Sequence, residues 1–189
     1  MRVLDRTFNY NTRRAKELLE LFLEYHPDIR FHLEIHPALL SEELKEELKH
    51  LPEGLLHLEA GIQSLREPVL EKSRRMGKLT DALEGLKFLC SLPNMETHAD
   101  LIAGLPLYHL SEIFEDIRVL AAYGAGEIQL ESLKLLPGTE MRRRAEELGI
   151  QYSPLPPYEV LQTREINVSE LQTARQLSRP VSYTHLTLP

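Results

Sequence analysis

Short β-rich runs alternate with helical patterns along residues 1–149, and this alternation constrains the chain more than any single motif does. Repeated strand-then-helix units specify a parallel sheet with helices packed on it, open or closed into a barrel. Strands are expected at Arg2–Leu4, Arg30–Ile35, Leu55–Glu59, His98–Ile102 and Ile128–Leu133. Helices are expected from Thr12 to about Tyr25, from Ser41 onward, and over about Pro68–Ser73, Thr80–Leu92, Leu110–Tyr123 and Thr139–Leu148. Ala15, Leu18, Leu19, Phe22 and Leu23 make an apolar stripe at helical spacing. Ser41 is an N-cap ahead of Glu42 and Glu43, which suit the positive end of a helix dipole. Gly149 closes the last helix.

The strands carry a second signal. Side chains two apart on a strand share a face. Phe31, Leu33 and Ile35 therefore share one face, while His32, Glu34 and the following His36 share the other. His57 aligns with Glu59, Gly61 and Gln63, His98 with Asp100, and Gln129 with Glu131. In a parallel sheet the helix-covered face must be apolar, so the polar set faces the other way, into a barrel interior. Isolated buried charge is costly, so imidazoles and carboxylates there imply water, a ligand or one another. Gly61 and Gly104 are read as turn formers at strand ends. A structural ion pair with Arg30, Arg75 or Lys134 is the competing role for Glu34, Glu59 and Asp100.

Composition narrows the class. A chain of 189 residues can bury one sizeable core. No apolar run approaches the roughly 20 residues of a membrane span, and no signal peptide opens the chain, so a cytoplasmic location is expected. A formal charge of −7 disfavours nucleic acid as a partner. The one cysteine, Cys90, excludes an internal disulfide and falls in the apolar stripe Leu83, Leu86, Leu89. After Gly149 the stretch Tyr152–Tyr158 is proline-rich and reads as a linker or extended arm, with a short helix resuming at Ser169 to about Leu177. The division expected is a barrel portion at 1–149, a linker and the start of a C-terminal region at 150–180, and a tail at 181–189 that resembles translated sequencing adapter.

Four segments, taken in order, resemble successive strand ends of radical S-adenosylmethionine (SAM) enzymes. They are Asp5-Arg6-Thr7-Phe8-Asn9, His32-Leu33-Glu34-Ile35-His36-Pro37, Gly61-Ile62-Gln63-Ser64 with Arg75 twelve residues after Gln63, and Asp100-Leu101-Ile102-Ala103-Gly104-Leu105-Pro106. Leu133-Lys134-Leu135-Leu136-Pro137-Gly138-Thr139 looks like the last barrel strand of the same family. The resemblance points to the branch holding oxygen-independent coproporphyrinogen oxidase, the methylthiotransferases and the cobalamin-binding members. It implies a partial (β/α)6 TIM-like barrel with strands two to six present and the first strand, with its cluster loop, missing. It also implies an enzyme in which a [4Fe-4S] cluster held by three cysteines, fed by a reductant, cleaves SAM reductively, with methyl transfer where cobalamin binds. By the same resemblance Glu34 is a carboxylate beside SAM, Gln63 a polar contact, Arg75 the partner of the SAM carboxylate and Asp100 the acceptor for ribose hydroxyls. Asp5 and Thr7 match contacts near the methionyl amine. The C-x-x-x-C-x-x-C loop is expected before Met1, and the chain alone is expected to hold no cluster and to be inactive.

Two other readings are open on the residues themselves. One takes His32, Glu34, His36, His57, His98 and Asp100 as a metal site in a hydrolase barrel. The other makes the chain a non-catalytic module that only binds a partner.

Overall fold

A computed structural model describes residues 1–181, so the expected adapter-like tail lies outside the described residues except for Val181. Four strands, β1 (Phe31–Ile35), β2 (Leu56–Gln63), β3 (Glu96–Ala103) and β4 (Glu127–Ser132), form an open parallel sheet in the order β1-β2-β3-β4. β1 and β2 pair with His32 opposite His57 and Glu34 opposite Glu59. Burial alternates along both, with Phe31, Leu33, Ile35, Leu56, Leu58, Ala60 and Ile62 inward. The expected first strand, Arg2–Leu4, shrinks to one parallel bridge between Arg2 and His32. Its place and direction are as expected, but Leu4 is 94% exposed, so no apolar alternation sustains a strand there.

The chain divides into two compact units. In the first (Met1–Ile62, Gly77–Ala99, Ala121–Gly126), α1 (Thr12–Leu23) is capped by Asn11, whose side chain accepts from the Arg14 amide at 3.0 Å. Its inward Ala15, Leu19 and Phe22 continue into a stack of Phe22 on Phe31, with ring centroids 4.0 Å apart. α2 (Glu42–His50) starts at Ser41, whose Oγ accepts from the Leu44 amide at 3.2 Å. α4 (Leu79–Ser91) lies so close to a short 3-10 turn at Pro37–Leu39 that a Cβ built on Gly85 would sit 2.2 Å from the Pro37 carbonyl oxygen.

The second unit (Gln63–Met76, Asp100–Leu120 and Glu127 onward) includes α3 (Glu67–Lys72), most of α5 (Leu110–Ala122), and α6 (Glu140–Arg143). The helix expected to reach Leu148 stops at Arg143. Beyond it the three-residue closures of Ala145 to Arg142 and Gly149 to Glu146 flank the four-residue closure of Leu148 to Arg144, until Gly149 turns at φ +68°. The proline-rich stretch expected as a linker folds back instead. β5 (Gln151–Tyr152) pairs antiparallel with β6 (Val160–Gln162), and the Arg142 guanidinium lies 5.1 Å from the Tyr152 ring and 4.8 Å from that of Tyr158. Those cation–π contacts and the hairpin bonds hold the segment that composition alone reads as extended. α7 (Val168–Val181) buries Leu171 and Ala174.

Candidate functional site

Gly61 is not a turn residue, because β2 continues through it and the alternation of Ala60 and Ile62 inward carries the strand on to Gln63. The turn is made at Gln63 itself, whose φ of +71° lies in the left-handed region that non-glycine residues enter at a cost of about 1–2 kcal/mol. Strain of this kind persists only where surroundings enforce it. Directly after Gln63 the chain is held by Asp116, which is 1% exposed. Its carboxylate accepts from the Leu65 amide at 2.8 Å, the Tyr108 hydroxyl at 2.6 Å, Arg66 Nε at 2.9 Å and Ser64 Oγ at 3.4 Å. Burial, followed by the adjacent Asp116 charge, drives the Tyr108 phenol far above its ordinary pKa, so it stays a donor.

Arg75 and Asp100 come together electrostatically in the same unit. Burial pulls the Arg75 pKa down and the Asp100 charge opposes that, so the expected alternative partner of Asp100 is present as a charge neighbour. Gly104 follows β3 at φ +91°, with the turn expected of it. Glu34 lies 3.4 Å from Arg2. Asp5 is held by Arg14 at 2.6 Å, which keeps its carboxyl below the usual range, and accepts from the Thr7 amide at 3.2 Å. Thr7 Oγ1 donates to the Arg6 carbonyl at 2.7 Å. Asn9 exchanges two 2.9 Å hydrogen bonds with the His36 backbone, which fixes the Asp5–Asn9 segment against the end of β1.

The polar faces of β1, β2 and β3 also assemble an imidazole cluster. His32 stacks on His57 with centroids 4.7 Å apart, and His98 lies 4.8 Å from His57. His57 Nε2 is 2.6 Å from His98 Nδ1, and Glu59 Oε2 is 2.8 Å from His32 Nε2. Burial, then the neighbouring imidazoles His98 and His32, push the His57 pKa down to about 4, so it is neutral at pH 7. Glu34 and His36 do not join this group.

No family model and no curated protein matches the sequence. Solved structures do. The radical SAM methyltransferase TsrM from Kitasatospora setae, with tryptophan substrate and a SAM analogue bound, aligns with 93% of this chain and 36% of its own at TM-score 0.64 and 20% identity. TsrM with cobalamin and a [4Fe-4S] cluster aligns with 93% of this chain and 37% of its own, at 0.65 and 21%. Coproporphyrinogen III oxidase (HemN) from Escherichia coli, a radical SAM enzyme, aligns with 94% of this chain and 39% of its own, at 0.63 and 16%. The fold is that of radical SAM enzymes. This chain spans well under half the length of each of these structures.

Within the radical SAM fold, an iron-sulfur cluster is held by cysteine thiolates. The residues present do not fit one. Cys90 is the chain's one cysteine, sits inside α4, and has its pKa pushed up to about 11 by burial. At pH 8 such a thiol is held almost entirely in its protonated, unreactive form. Labelling of the native protein with a thiol-specific disulfide reagent at pH 8 is therefore expected to be slow and to accelerate sharply on unfolding. Fast stoichiometric labelling of the folded chain would show that Cys90 is not buried in this way.

Proposed function

We propose that this chain is the SAM-cradling side of a radical SAM enzyme of the cobalamin-associated branch, a protein longer than the 189 residues here. The observation that carries the reading is Gln63, a strained residue closing β2 just ahead of Ser64, Leu65 and Arg66, which a buried carboxylate holds. Ligands of open parallel sheets and barrels bind at the carboxyl ends of strands, and strain is kept where a side chain must be aimed.

In this reading the Arg75 guanidinium binds the SAM carboxylate. Its five donors in a planar fork allow that while Asp100 remains beside it. Asp100 accepts from the two ribose hydroxyls, and Gln63 supplies an amide contact. The [4Fe-4S] cluster, which supplies the reducing electron, takes its cysteines from sequence outside this chain. The parent enzyme is cytoplasmic, takes electrons from a separate reductant, and acts on a substrate whose selection lies outside these residues.

The test is a nuclear magnetic resonance titration of the chain with S-adenosylhomocysteine, which keeps the nucleoside and carboxylate and needs no cluster. Saturable shifts at Gln63, Arg75 and Asp100 are expected, with affinity about tenfold lower in Arg75→Gln, the scale of one charged hydrogen bond. Gln63→Gly separates aim from strain. It should weaken binding while leaving the unfolding midpoint unchanged or higher, since glycine adopts positive φ freely. Absence of saturable shifts at millimolar ligand would overturn the SAM assignment.

A further inference from the structure

The imidazole cluster belongs to the opposite end of the strands. His32 and His57 are the second residues of β1 and β2, and His98 is the third of β3. Barrel catalysis is built at carboxyl ends, so this group is not part of the SAM reading. All three histidines lie in the first compact unit. A ligand atom from each lies within 4.8 Å of the others. Zinc–nitrogen bonds of 2.0–2.1 Å in a tetrahedral site place ligand nitrogens about 3.3 Å apart, so modest side-chain rotation closes the set.

The surroundings match what such a site requires. Arg30 lies 3.2 Å from His57 Nδ1, and a guanidinium can only donate. His57 Nδ1 therefore accepts, Nε2 carries the proton, and His57 donates to His98 Nδ1 across their 2.6 Å contact. That proton is the one a cation would displace. Once it leaves, His57 Nδ1 can take up a proton and donate to Glu96 Oε2, now 3.4 Å away, while Arg30 gives up its bond to that nitrogen and keeps its 2.6 Å bond to Glu96. Glu59 Oε2 faces both His32 and His98, at 2.8 and 3.7 Å. Carboxylates behind imidazoles are the usual orienting groups of metal sites. A cleft of about 120 Å³ is bounded by Arg30, Leu56 and Glu96, and two of these, Arg30 and Glu96, contact His57.

We propose that His32, His57 and His98 form a binding site for one divalent transition metal of the zinc class at the amino ends of β1, β2 and β3, with Glu59 orienting the imidazoles. The ion ties three neighbouring strands and so acts as a staple on the sheet rather than as a reaction centre.

Cobalt(II) titrated into the metal-free chain tests this. One equivalent is expected to bind, with visible d–d bands of a low-coordinate site that zinc(II) abolishes, and a rise in melting temperature. His57→Gln and His98→Gln should each weaken binding by about 100-fold, the upper end of what altered metal surroundings cost. His50→Gln, on the exposed end of α2, should change nothing. Should the buried His98 variant fail to fold by circular dichroism, His32→Gln at a half-exposed position gives the same reading. Absence of saturable binding below about 100 μM cobalt, far weaker than structural zinc sites, would overturn the proposal. Equal affinity in His57→Gln or His32→Gln would overturn it as well. Neither result bears on S-adenosylhomocysteine binding, so the two readings fail separately.

Discussion

Asp116→Ala should lower the unfolding free energy of the chain by about 3 kcal/mol, since removing one member of a buried charge network strands its partners. The carboxylate is 1% exposed and holds four groups, among them the Leu65 amide and the Tyr108 hydroxyl, which lose their shortest bonds, 2.8 and 2.6 Å, once it is gone. Arg66 is less affected, being 30% exposed and also paired with Glu115 at 2.6 Å. A graded series checks the mechanism. Tyr108→Phe removes one donor and should cost about 1 kcal/mol, because the carboxylate keeps its other partners. Denaturant midpoints at unchanged slope give these values directly. A loss below about 0.5 kcal/mol for Asp116→Ala, the level of an ordinary surface change, would mean the network does not hold the turn at Gln63.

Gly85→Ala should destabilise by about 3 kcal/mol, the severe end of overpacking, even though alanine is the better helix former by about 1 kcal/mol. The added methyl would meet the Pro37 carbonyl oxygen at 2.2 Å and its carbon at 2.8 Å. Both are backbone atoms, so no rotamer change relieves the contact. α4 would have to move away from the Pro37–Leu39 turn. The adjacent exposed Glu84→Ala serves as a reference and should stay within about 0.5 kcal/mol of the native chain. A Gly85→Ala protein as stable as that reference would show that α4 does not pack this closely.

These two sites also show how far the sequence could be read. The strand faces were legible because period-two alternation fixes them, and His32, Glu34, His57 and Glu59 sit on the polar face as spacing requires. The Ser41 cap was legible because its hydroxyl and the following glutamates act locally. Asp116 was not, although one signal existed. It falls between Ile113, Ile117 and Leu120, the buried stripe of α5, where a carboxylate is out of place unless something distant needs it. Three of its partners, Ser64, Leu65 and Arg66, are about fifty positions earlier, and nothing local names them. Gly85 carries no local signal, since the turn that forbids a side chain there lies far off in sequence. The left-handed backbone moved from Gly61 to Gln63 for a similar reason, because apolar alternation prolonged the strand past the glycine. Arg2 took the place of the expected basic partners of Glu34 and Glu59, since a single bridge to His32 places it beside both.

The fold-back after Gly149 has a bearing on how molecules of this chain meet one another. The Val160 amide donates to the Leu133 carbonyl and the Leu135 amide to the Tyr158 carbonyl, both at 2.9 Å, while the Leu133 amide is taken by Ala103. Backbone groups that a bare strand would offer to any passing strand are thus already occupied by the chain's own proline-bearing loop. Unpaired strand backbone is a template for intermolecular β-addition, and proline cannot donate to extend it. Residues 158–160 therefore act as a built-in stopper, and self-association through Leu133–Leu135 is closed off without help from any second molecule.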